Sequence, residues 1–178
     1  RLTNQKGLDL VNDVIPGVMD GNTQVVVLGT GDSWYEEAFR SYENQYKGSF
    51  CAYIAYDENV AHNIYSGCDA LLVPSRFEPC GLTQLIAMRY GAIPIVRETG
   101  GLRDTVWPYN MFDNTGNGFT FDRYESGLLY DTINRAKTCY FENRASWDDM
   151  VIRDMNKDVS WETSARQYKD MYVELTPR

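Results

Sequence analysis

Short apolar runs alternate with amphipathic stretches from residue 8 to about residue 140, and this alternation predicts helices and strands in turn. Apolar residues at close to helical spacing predict a first helix from Leu8 to Met19, with Pro16 as a kink or an end. Continuous apolar runs predict strands that are buried on both faces. We expect these strands at residues 23–29, 49–55, 69–73 and 92–96, with a short strand at 118–121.

Polar residues and glycines mark where the helices begin and end. Asp32 or Ser33, Asp57 and Ser160 suit N-cap positions, because their side chains can accept a hydrogen bond from a free N–H of the first turn. Gly91 suits the end of a helix, where a left-handed backbone is common. The predicted helices span residues 33–46, 57–65 and 82–90, and then 124–139, 144–155 and 161–175.

This order of elements predicts a doubly wound, Rossmann-like α/β fold. A mostly parallel sheet carries helices on both faces, and the chain ends in helices. Ligands of such sheets bind beyond the carboxyl ends of the strands. The segments that directly follow strands should therefore share one edge, and these are Gly29–Gly31, Tyr56, 78–83 and 99–101.

The loop after the third strand carries the most informative polar residues. The apolar run 70–73 leads into Pro74–Leu85, which contains Glu78 and Gly81 and enters a helix near Leu82. The N–H groups and the dipole at a helix start favour an anion, whereas a carboxylate repels phosphate and suits neutral hydroxyls. The loop therefore predicts a ligand in which a sugar is joined to a phosphate.

Composition and charge narrow the range of partners. The chain has 178 residues, 43% hydrophobic and 24% charged, which suits one globular domain over residues 1–178. A net charge of −8 argues against a nucleic-acid partner bound by bulk charge. Any phosphate must then be held by a local basic cluster. No apolar run approaches the roughly 18 residues of a membrane span, and Arg1 opens into polar sequence without a signal-peptide pattern, so we expect no membrane partner.

Cysteine and histidine usage does not predict a zinc site. Cys51, Cys68, Cys80 and Cys139 are widely spaced without a Cys-x-x-Cys pair, and His62 is the only histidine in the sequence. Unpaired thiols in a reducing compartment are expected, with disulfides as the alternative. Cys80 is expected to be a structural thiol, since no histidine lies near it in sequence to activate it.

The start of the chain is unusual for this fold. Residues 1–7 form a polar loop that leads into a helix, whereas a doubly wound sheet normally has a strand before such a loop. We therefore expect this chain to be a fragment, cut at or just after its first strand. A missing central strand would leave two unpaired edges, which favours strand exchange or a dimer of the fragment.

Five motifs, in order and over essentially the whole chain, resemble the carboxyl-terminal half of bacterial and plastid glycogen and starch synthases. They occupy residues 1–10, 28–32, 74–84, 90–94 and 99–106, and the third reads Pro-Ser-Arg-Phe-Glu-Pro-Cys-Gly-Leu-Thr-Gln. Those enzymes have the GT-B glycosyltransferase architecture. They transfer glucose from a nucleotide sugar, usually ADP-glucose.

The resemblance implies addition of glucose to the non-reducing end of an α-1,4-glucan with retention at the anomeric carbon. The enzyme is expected in the cytoplasm, or in the plastid if it comes from a plant. The acceptor would be held by the protein's own N-terminal domain across a cleft, so this fragment alone is expected to be inactive. No cofactor or metal is implied, which agrees with the lack of an Asp-x-Asp motif.

The resemblance also assigns the three expected catalytic residues. Arg1 and Lys6 match a basic pair that holds the donor's phosphates and offsets charge on the leaving group. Glu78 matches an acidic residue that contacts the donor glucose hydroxyls. The alternative for each is an ordinary surface charge.

Further matches are binding positions around the same loop. Cys80, Gly81 and Leu82 match positions that offer backbone N–H groups to the sugar, and Gly81 permits close approach because it lacks a Cβ. Thr83 matches a phosphate contact at the start of a helix. Its alternative is a plain first-turn threonine.

The nucleotide is expected to lie against two segments elsewhere. Tyr56 matches an aromatic residue that stacks on the base, with core packing as the alternative. Gly29 lies in a turn expected close to the nucleotide, with a bare strand-ending turn as the alternative. Gly100–Gly101 falls in the same loop layer and could face the ligand or not. His62 is expected to be structural.

The chain departs from many GT-B transferases at one position after Glu78. Many GT-B transferases carry a second glutamate eight positions after the first, where this chain has Ile86. The lack of that glutamate agrees with the glycogen synthase branch.

Two rival functions are considered. One rival is another GT-B enzyme that uses UDP-glucose, such as a sucrose synthase-like transferase or a nucleotide-sugar epimerase. The other is a non-catalytic nucleotide-sugar-binding module.

Overall fold

The computed structural model describes residues 1–176. A short 3-10 helix at Asn4–Lys6 opens this range, and helices and strands then alternate as far as the fifth strand. The strands are β1 (Val25–Leu28), β2 (Phe50–Tyr53), β3 (Ala70–Val73), β4 (Ile93–Arg97) and β5 (Phe119–Phe121). The helices are α1 (Leu8–Val18), α2 (Ser33–Gln45), α3 (Glu58–Gly67), α4 (Thr83–Tyr90), α5 (Gly100–Thr105), α6 (Ser126–Glu142), α7 (Arg144–Asn156) and α8 (Trp161–Leu175).

Every pairing of these strands is parallel, which confirms the predicted α/β class. β1 pairs with β2, with Val25 opposite Phe50, while β4 lies between β3 and β5, with Ala70 opposite Ile93. Within residues 1–176 no ladder joins β1 to β3, so the strands form two parallel groups rather than the single sheet that the element order predicts.

An amino-terminal strap, Leu2–Gln5, connects the carboxyl ends of the two groups. On one side the Leu2 N–H donates to the Thr30 carbonyl at 2.9 Å, and the Asp32 N–H donates to the Leu2 carbonyl at 2.8 Å. On the other side the Arg76 N–H donates to the Gln5 carbonyl at 2.9 Å. The strap therefore lies across the edge at which parallel α/β sheets bind ligands.

Helix α1 packs into both groups because its apolar residues cover two faces. Leu10 and Val14 belong to the core around β4, β5 and α6, whereas Val11 and Ile15 belong to the core around β2 and α2. Pro16 lies inside the last turn of α1 and does not end it at once. A proline cannot donate to the carbonyl four residues earlier; here the Tyr42 hydroxyl donates to that Asn12 carbonyl at 3.0 Å.

Most predicted elements are found with slightly different bounds. Asp32 lies at the N-cap of α2 without the expected side-chain hydrogen bond, whereas the other predicted caps are present. Asp57 accepts from the Val60 N–H at 3.1 Å, Ser160 accepts from the Thr163 N–H at 3.4 Å, and Gly91 is left-handed with φ 86°. Helix α5 was not predicted, because the Gly100–Gly101 pair at its start has low helix propensity and reads as a turn.

Helix α8 carries several exposed apolar side chains. No residue of Trp161–Leu175 is buried, and Trp161, Tyr172 and Leu175 are among its exposed large side chains. Among the described residues, none of the helices combines the length and apolar character that crossing a bilayer requires.

Candidate functional site

The contact between Lys6 and Glu78 lies at the centre of the site. Lys6 Nζ donates to Glu78 Oε2 at 2.7 Å, and the buried Ser75 hydroxyl donates to the same oxygen at 2.9 Å. Only 12% of the Glu78 side chain is exposed. Within residues 1–176 no donor reaches Glu78 Oε1, so that oxygen can accept a hydrogen bond from a ligand.

Backbone contacts bring Lys6 to the loop after β3. Besides the bond between the Arg76 N–H and the Gln5 carbonyl, the Gln5 side-chain amide donates to the Phe77 carbonyl at 3.1 Å. Gly7 follows with φ 72°, and a Cβ there would overlap the Pro74 carbonyl oxygen. Only glycine allows this approach, which explains why a glycine directly follows the lysine of the first motif.

The strap also places Arg1 beside the turn after β1. Gly31 pairs with Leu2, and a Cβ at Gly31 would overlap the Leu2 carbonyl oxygen. The strap that carries Arg1 and Lys6 therefore lies beside the Gly29–Gly31 turn.

Two arginines and a tyrosine support the loop from behind. The Arg97 guanidinium donates to the Ser75 carbonyl at 2.9 Å and also to the Arg76 carbonyl. Arg76 stacks on the Tyr124 ring at 4.2 Å and pairs with Asp9 on α1 at 3.3 Å. Burial, followed by the hydrogen bond to Asp9, raises the pKa of Tyr124 to about 12.

The turn from Cys80 to Thr83 presents N–H groups rather than carbonyls. Gly81 has φ 71°, and α4 begins at Thr83 with its first N–H groups free of the helix. Over residues 1–176, no protein acceptor takes the N–H groups of Cys80, Gly81, Leu82 or Thr83. Such a row of free donors at a helix start favours a phosphate or another electron-rich oxygen.

Tyr56 lies just after β2 and is 85% exposed. Its hydroxyl donates to Glu58 at 3.3 Å, which leaves the ring free. The core-packing alternative for Tyr56 is therefore wrong. His62 instead contacts the Tyr90 hydroxyl at 2.9 Å on the surface between α3 and α4, which fits a structural residue.

Gly100 and Gly101 pack against the loop rather than line an open cleft. The Gly101 N–H donates to the carbonyls of Glu78 and Pro79, each at 3.2 Å. A Cβ at Gly100 would overlap the Glu78 carbonyl oxygen, and one at Gly101 would overlap that of Cys80. The pair therefore lets α5 approach the loop backbone closely.

Sequence reasoning missed the buried polar residues beneath the loop. Ser75, Gln84 and Thr105 hold the loop from inside. Ser75 and Gln84 are fully buried polar side chains beside apolar residues, and a polar residue inside an apolar pattern was the one signal available. Their partners lie on other elements, which periodicity does not show.

Thiols and carboxylates give no metal-like grouping. The four cysteines are unpaired, as expected, with Cys80 exposed beside the loop. Among the described residues, no three His, Cys, Asp or Glu side chains gather as ligands for an ion. Independence from metal remains a prediction of the sequence.

Comparison with known proteins identifies the family. Residues 1–151 match the family described as glycosyl transferases group 1. The chain belongs to this glycosyltransferase family. It is 49% identical over 175 residues to a glycogen synthase of Lachnospira eligens, and 48% identical to one of Lachnoclostridium phytofermentans. These alignments cover 98% of the chain but only 37% of each relative, so this glycosyltransferase chain spans just over a third of their length.

Solved structures show the same similarity. The catalytic domain of starch synthase IV from Arabidopsis thaliana, bound to ADP and acarbose, matches with a TM-score of 0.86 and 36% identity over 98% of this chain and 36% of that one. A sucrose-phosphate synthase from Thermosynechococcus elongatus matches with a TM-score of 0.71 at 21% identity, which shows the fold alone. The predicted resemblance and the GT-B type of glycosyltransferase fold are confirmed.

Proposed function

We propose that the whole protein is a glucosyltransferase that adds glucose from ADP-glucose to the non-reducing end of an α-1,4-glucan with retention. The observation that carries this proposal is the contact of Lys6 with Glu78 at 2.7 Å, beside a row of unpaired N–H groups. A cation, a carboxylate and free N–H donors at one edge suit a donor that joins diphosphate to sugar. The glycogen synthases among the relatives, and ADP in the starch synthase IV structure, support this choice.

In this proposal the basic residues bind the leaving group. Lys6 and Arg1 hold the diphosphate and stabilise the negative charge that develops on ADP as the bond to glucose breaks. The Lys6 ammonium has three N–H donors and uses one on Glu78, so two remain for phosphate oxygens. No metal is required for this role.

The carboxylate and the turn bind the sugar. Glu78 Oε1 accepts hydrogen bonds from glucose hydroxyls, while Lys6 and Ser75 hold Oε2. The N–H groups of Cys80, Gly81 and Leu82 donate hydrogen bonds to ADP-glucose, and Thr83 contacts a phosphate at the start of α4.

The nucleotide extends toward the segments after β1 and β2. The exposed Tyr56 ring stacks on the base, and the turn at Gly29 lies beside the nucleotide. The acceptor glucan and any general base belong to an N-terminal domain of the whole protein, which is expected in the cytoplasm, or in the plastid of a plant.

Transfer of label from ADP-glucose to glycogen tests the proposal. The whole protein should elongate the glucan, and the 178-residue chain alone should not, although it should bind ADP weakly. Parallel reactions with UDP-glucose distinguish the rival GT-B enzymes. Donor binding without transfer by the whole protein would indicate a non-catalytic module and would contradict the proposal.

A further inference from the structure

Four successive carbonyls of the loop point inward. Those of Glu78 and Pro79 accept from the Gly101 N–H, each at 3.2 Å. Those of Cys80 and Gly81 accept from the side-chain amide of Gln84, at 3.4 and 2.8 Å. The loop backbone is thus bonded from its inner side by one residue of α5 and one of α4.

Inward carbonyls determine where the N–H groups point. In a trans peptide the carbonyl of one residue and the N–H of the next lie in one plane and point in opposite directions. When Gln84 holds the carbonyls of Cys80 and Gly81 inside, the N–H groups of Gly81 and Leu82 must face outward. These are two of the donors that lack a protein acceptor within the described range.

The Gln84 side chain is itself held in place. It is fully buried, and its amide nitrogen also lies 3.1 Å from the Thr105 hydroxyl oxygen, so its two hydrogens are shared among three acceptors. That hydroxyl donates to the Gly101 carbonyl at 2.6 Å, so its hydrogen is already committed. Gln84 and Thr105 therefore form one chain of hydrogen bonds between α4 and α5.

The oxygen of the same amide has no partner. Gln84 Oε1 is buried and accepts no hydrogen bond from residues 1–176, and a Cβ at Gly81 would lie 2.7 Å from it. An unpaired buried oxygen disfavours the fold, so the benefit of this side chain lies in its amide nitrogen.

We propose that Gln84 is a positioning residue. Thr105 aligns its side-chain amide, and this amide orients the Cys80–Gly81 and Gly81–Leu82 peptides toward the sugar-nucleotide donor. This inference rests on the proposed function, in which the donor binds at this turn. Gln84 does not touch the donor. It acts through the backbone, which distinguishes it from Lys6 and Glu78.

Two substitutions remove the bond from opposite ends. Gln84→Met keeps the length of the side chain, but it removes the amide NH2 group that donates the hydrogen bonds and also removes the unpaired oxygen. Thr105→Val removes the hydroxyl that aligns the amide, whereas Thr105→Ser retains it and should restore the wild-type behaviour. Arg144→Gln, which breaks an exposed ion pair with Asp148 and the stacking on Tyr140 of α6, both remote from the loop, is the control.

The experiment measures the turn without ligand and the binding of ADP separately. In the whole protein, labelled with 15N at glycine and leucine, the Gly81 and Leu82 amide resonances should move in Gln84→Met and Thr105→Val. ADP Kd should rise about tenfold or more in Gln84→Met, with a smaller rise in Thr105→Val, because each peptide would lose a fixed orientation. The midpoint of thermal unfolding should change little in Gln84→Met.

The outcomes separate this inference from the proposed function. Unmoved Gly81 and Leu82 resonances in Gln84→Met overturn the inference, whatever happens to ADP binding. An equal loss in Thr105→Ser and Thr105→Val also overturns it, because the hydroxyl would then be irrelevant. Resonances that move while even the wild-type protein fails to bind ADP support the positioning role and contradict the proposed function.

Discussion

Glu78 and Lys6 form an ion pair within the site, and this bears on how each would respond to substitution. Lys6 and Ser75 both donate to one oxygen of Glu78, so the protein itself orients the carboxylate. An oriented carboxylate loses little freedom on binding, which favours affinity. The same pairing holds the Lys6 ammonium at the mouth of the turn.

Glu78→Gln should separate sugar binding from nucleotide binding. The amide keeps the size of the side chain but weakens its bonds to hydroxyls, so kcat/KM for ADP-glucose should fall roughly 30-fold, or about 2 kcal/mol. The Kd for ADP should stay within about threefold of wild type, because ADP carries no glucose. Calorimetry and initial rates on the whole protein provide the two numbers. A large loss of ADP affinity would place Glu78 on the phosphates instead.

Lys6→Met should give the opposite pattern. Loss of a charge-assisted bond to phosphate should weaken ADP binding about 10- to 100-fold. The free energy of unfolding should fall by roughly 1–3 kcal/mol, since the mostly buried Glu78 carboxylate loses its cation. Lys6→Arg, which keeps the charge, is the matched control. ADP affinity that is equal in Lys6→Met and wild type would remove Lys6 from the site.

At the scale of single residues, the sequence predicts the charged residues of the site better than the buried polar residues that hold the loop in place. Lys6 and Glu78 belong to motifs, and the structure does bring them together. The roles of Gln84 and Ser75 depend on which carbonyl or carboxylate faces them from another segment, and side-chain periodicity contains no such information. The resemblance assigned them nothing because they do not contact the ligand in the proposed site.

At the scale of elements, α5 acts as a support for the loop rather than as a binding segment. Its two glycines permit contact with loop carbonyls, and its last residue, Thr105, aligns Gln84. The sequence predicted a loop there, because six residues that begin with Gly-Gly leave too short an apolar pattern to indicate a helix. Longer amphipathic helices, such as α6 and α7, were predicted with nearly their observed bounds.

Gly101→Ala tests the close approach of α5. The added Cβ would overlap the Cys80 carbonyl oxygen, so the substitution should cost roughly 2–4 kcal/mol of unfolding free energy and also weaken ADP binding. Gly127→Ala in α6 is the matched control, because a Cβ there meets nothing within 4 Å and should be neutral or stabilising by up to about 1 kcal/mol. Chemical denaturation of both variants decides; equal stabilities would refute the packing argument.

At the scale of the whole molecule, one buried carboxylate should make stability depend on pH. Asp154 on α7 is buried with both oxygens unpaired, and burial raises its pKa to about 7, while Lys157 and Arg153 oppose the rise. The folded state therefore binds the proton more tightly than the unfolded state. The free energy of unfolding should decrease as pH rises from about 4 to about 7 and then change no further through this group.

Asp154→Asn should remove this dependence. The amide cannot ionise, so the variant should be more stable than wild type at pH 8 by roughly 2–3 kcal/mol and should match it at pH 5 within about 0.5 kcal/mol. Urea unfolding at the two pH values measures the difference. A variant that is less stable at pH 8 would show that the ionised carboxylate is favourable in the fold.

The overall topology was predictable, but the way in which the strands group was not. Alternating elements predict parallel strands, and all pairings are parallel. Whether β1 and β3 share a ladder depends on long-range pairing, which local pattern does not encode. The similarity to the two glycogen synthases covers 37% of the length of each.

The strap Leu2–Gln5 has a mechanical consequence. It is bonded to Thr30 and Asp32 on one flank and to Arg76 on the other, and it continues directly into Lys6. A ligand that contacts Lys6 would thus affect both strand groups at once. Nucleotide bound at Lys6 should therefore stabilise the two strand groups together. In calorimetry with nucleotide we expect one sharper unfolding peak at a higher temperature, rather than two separate peaks.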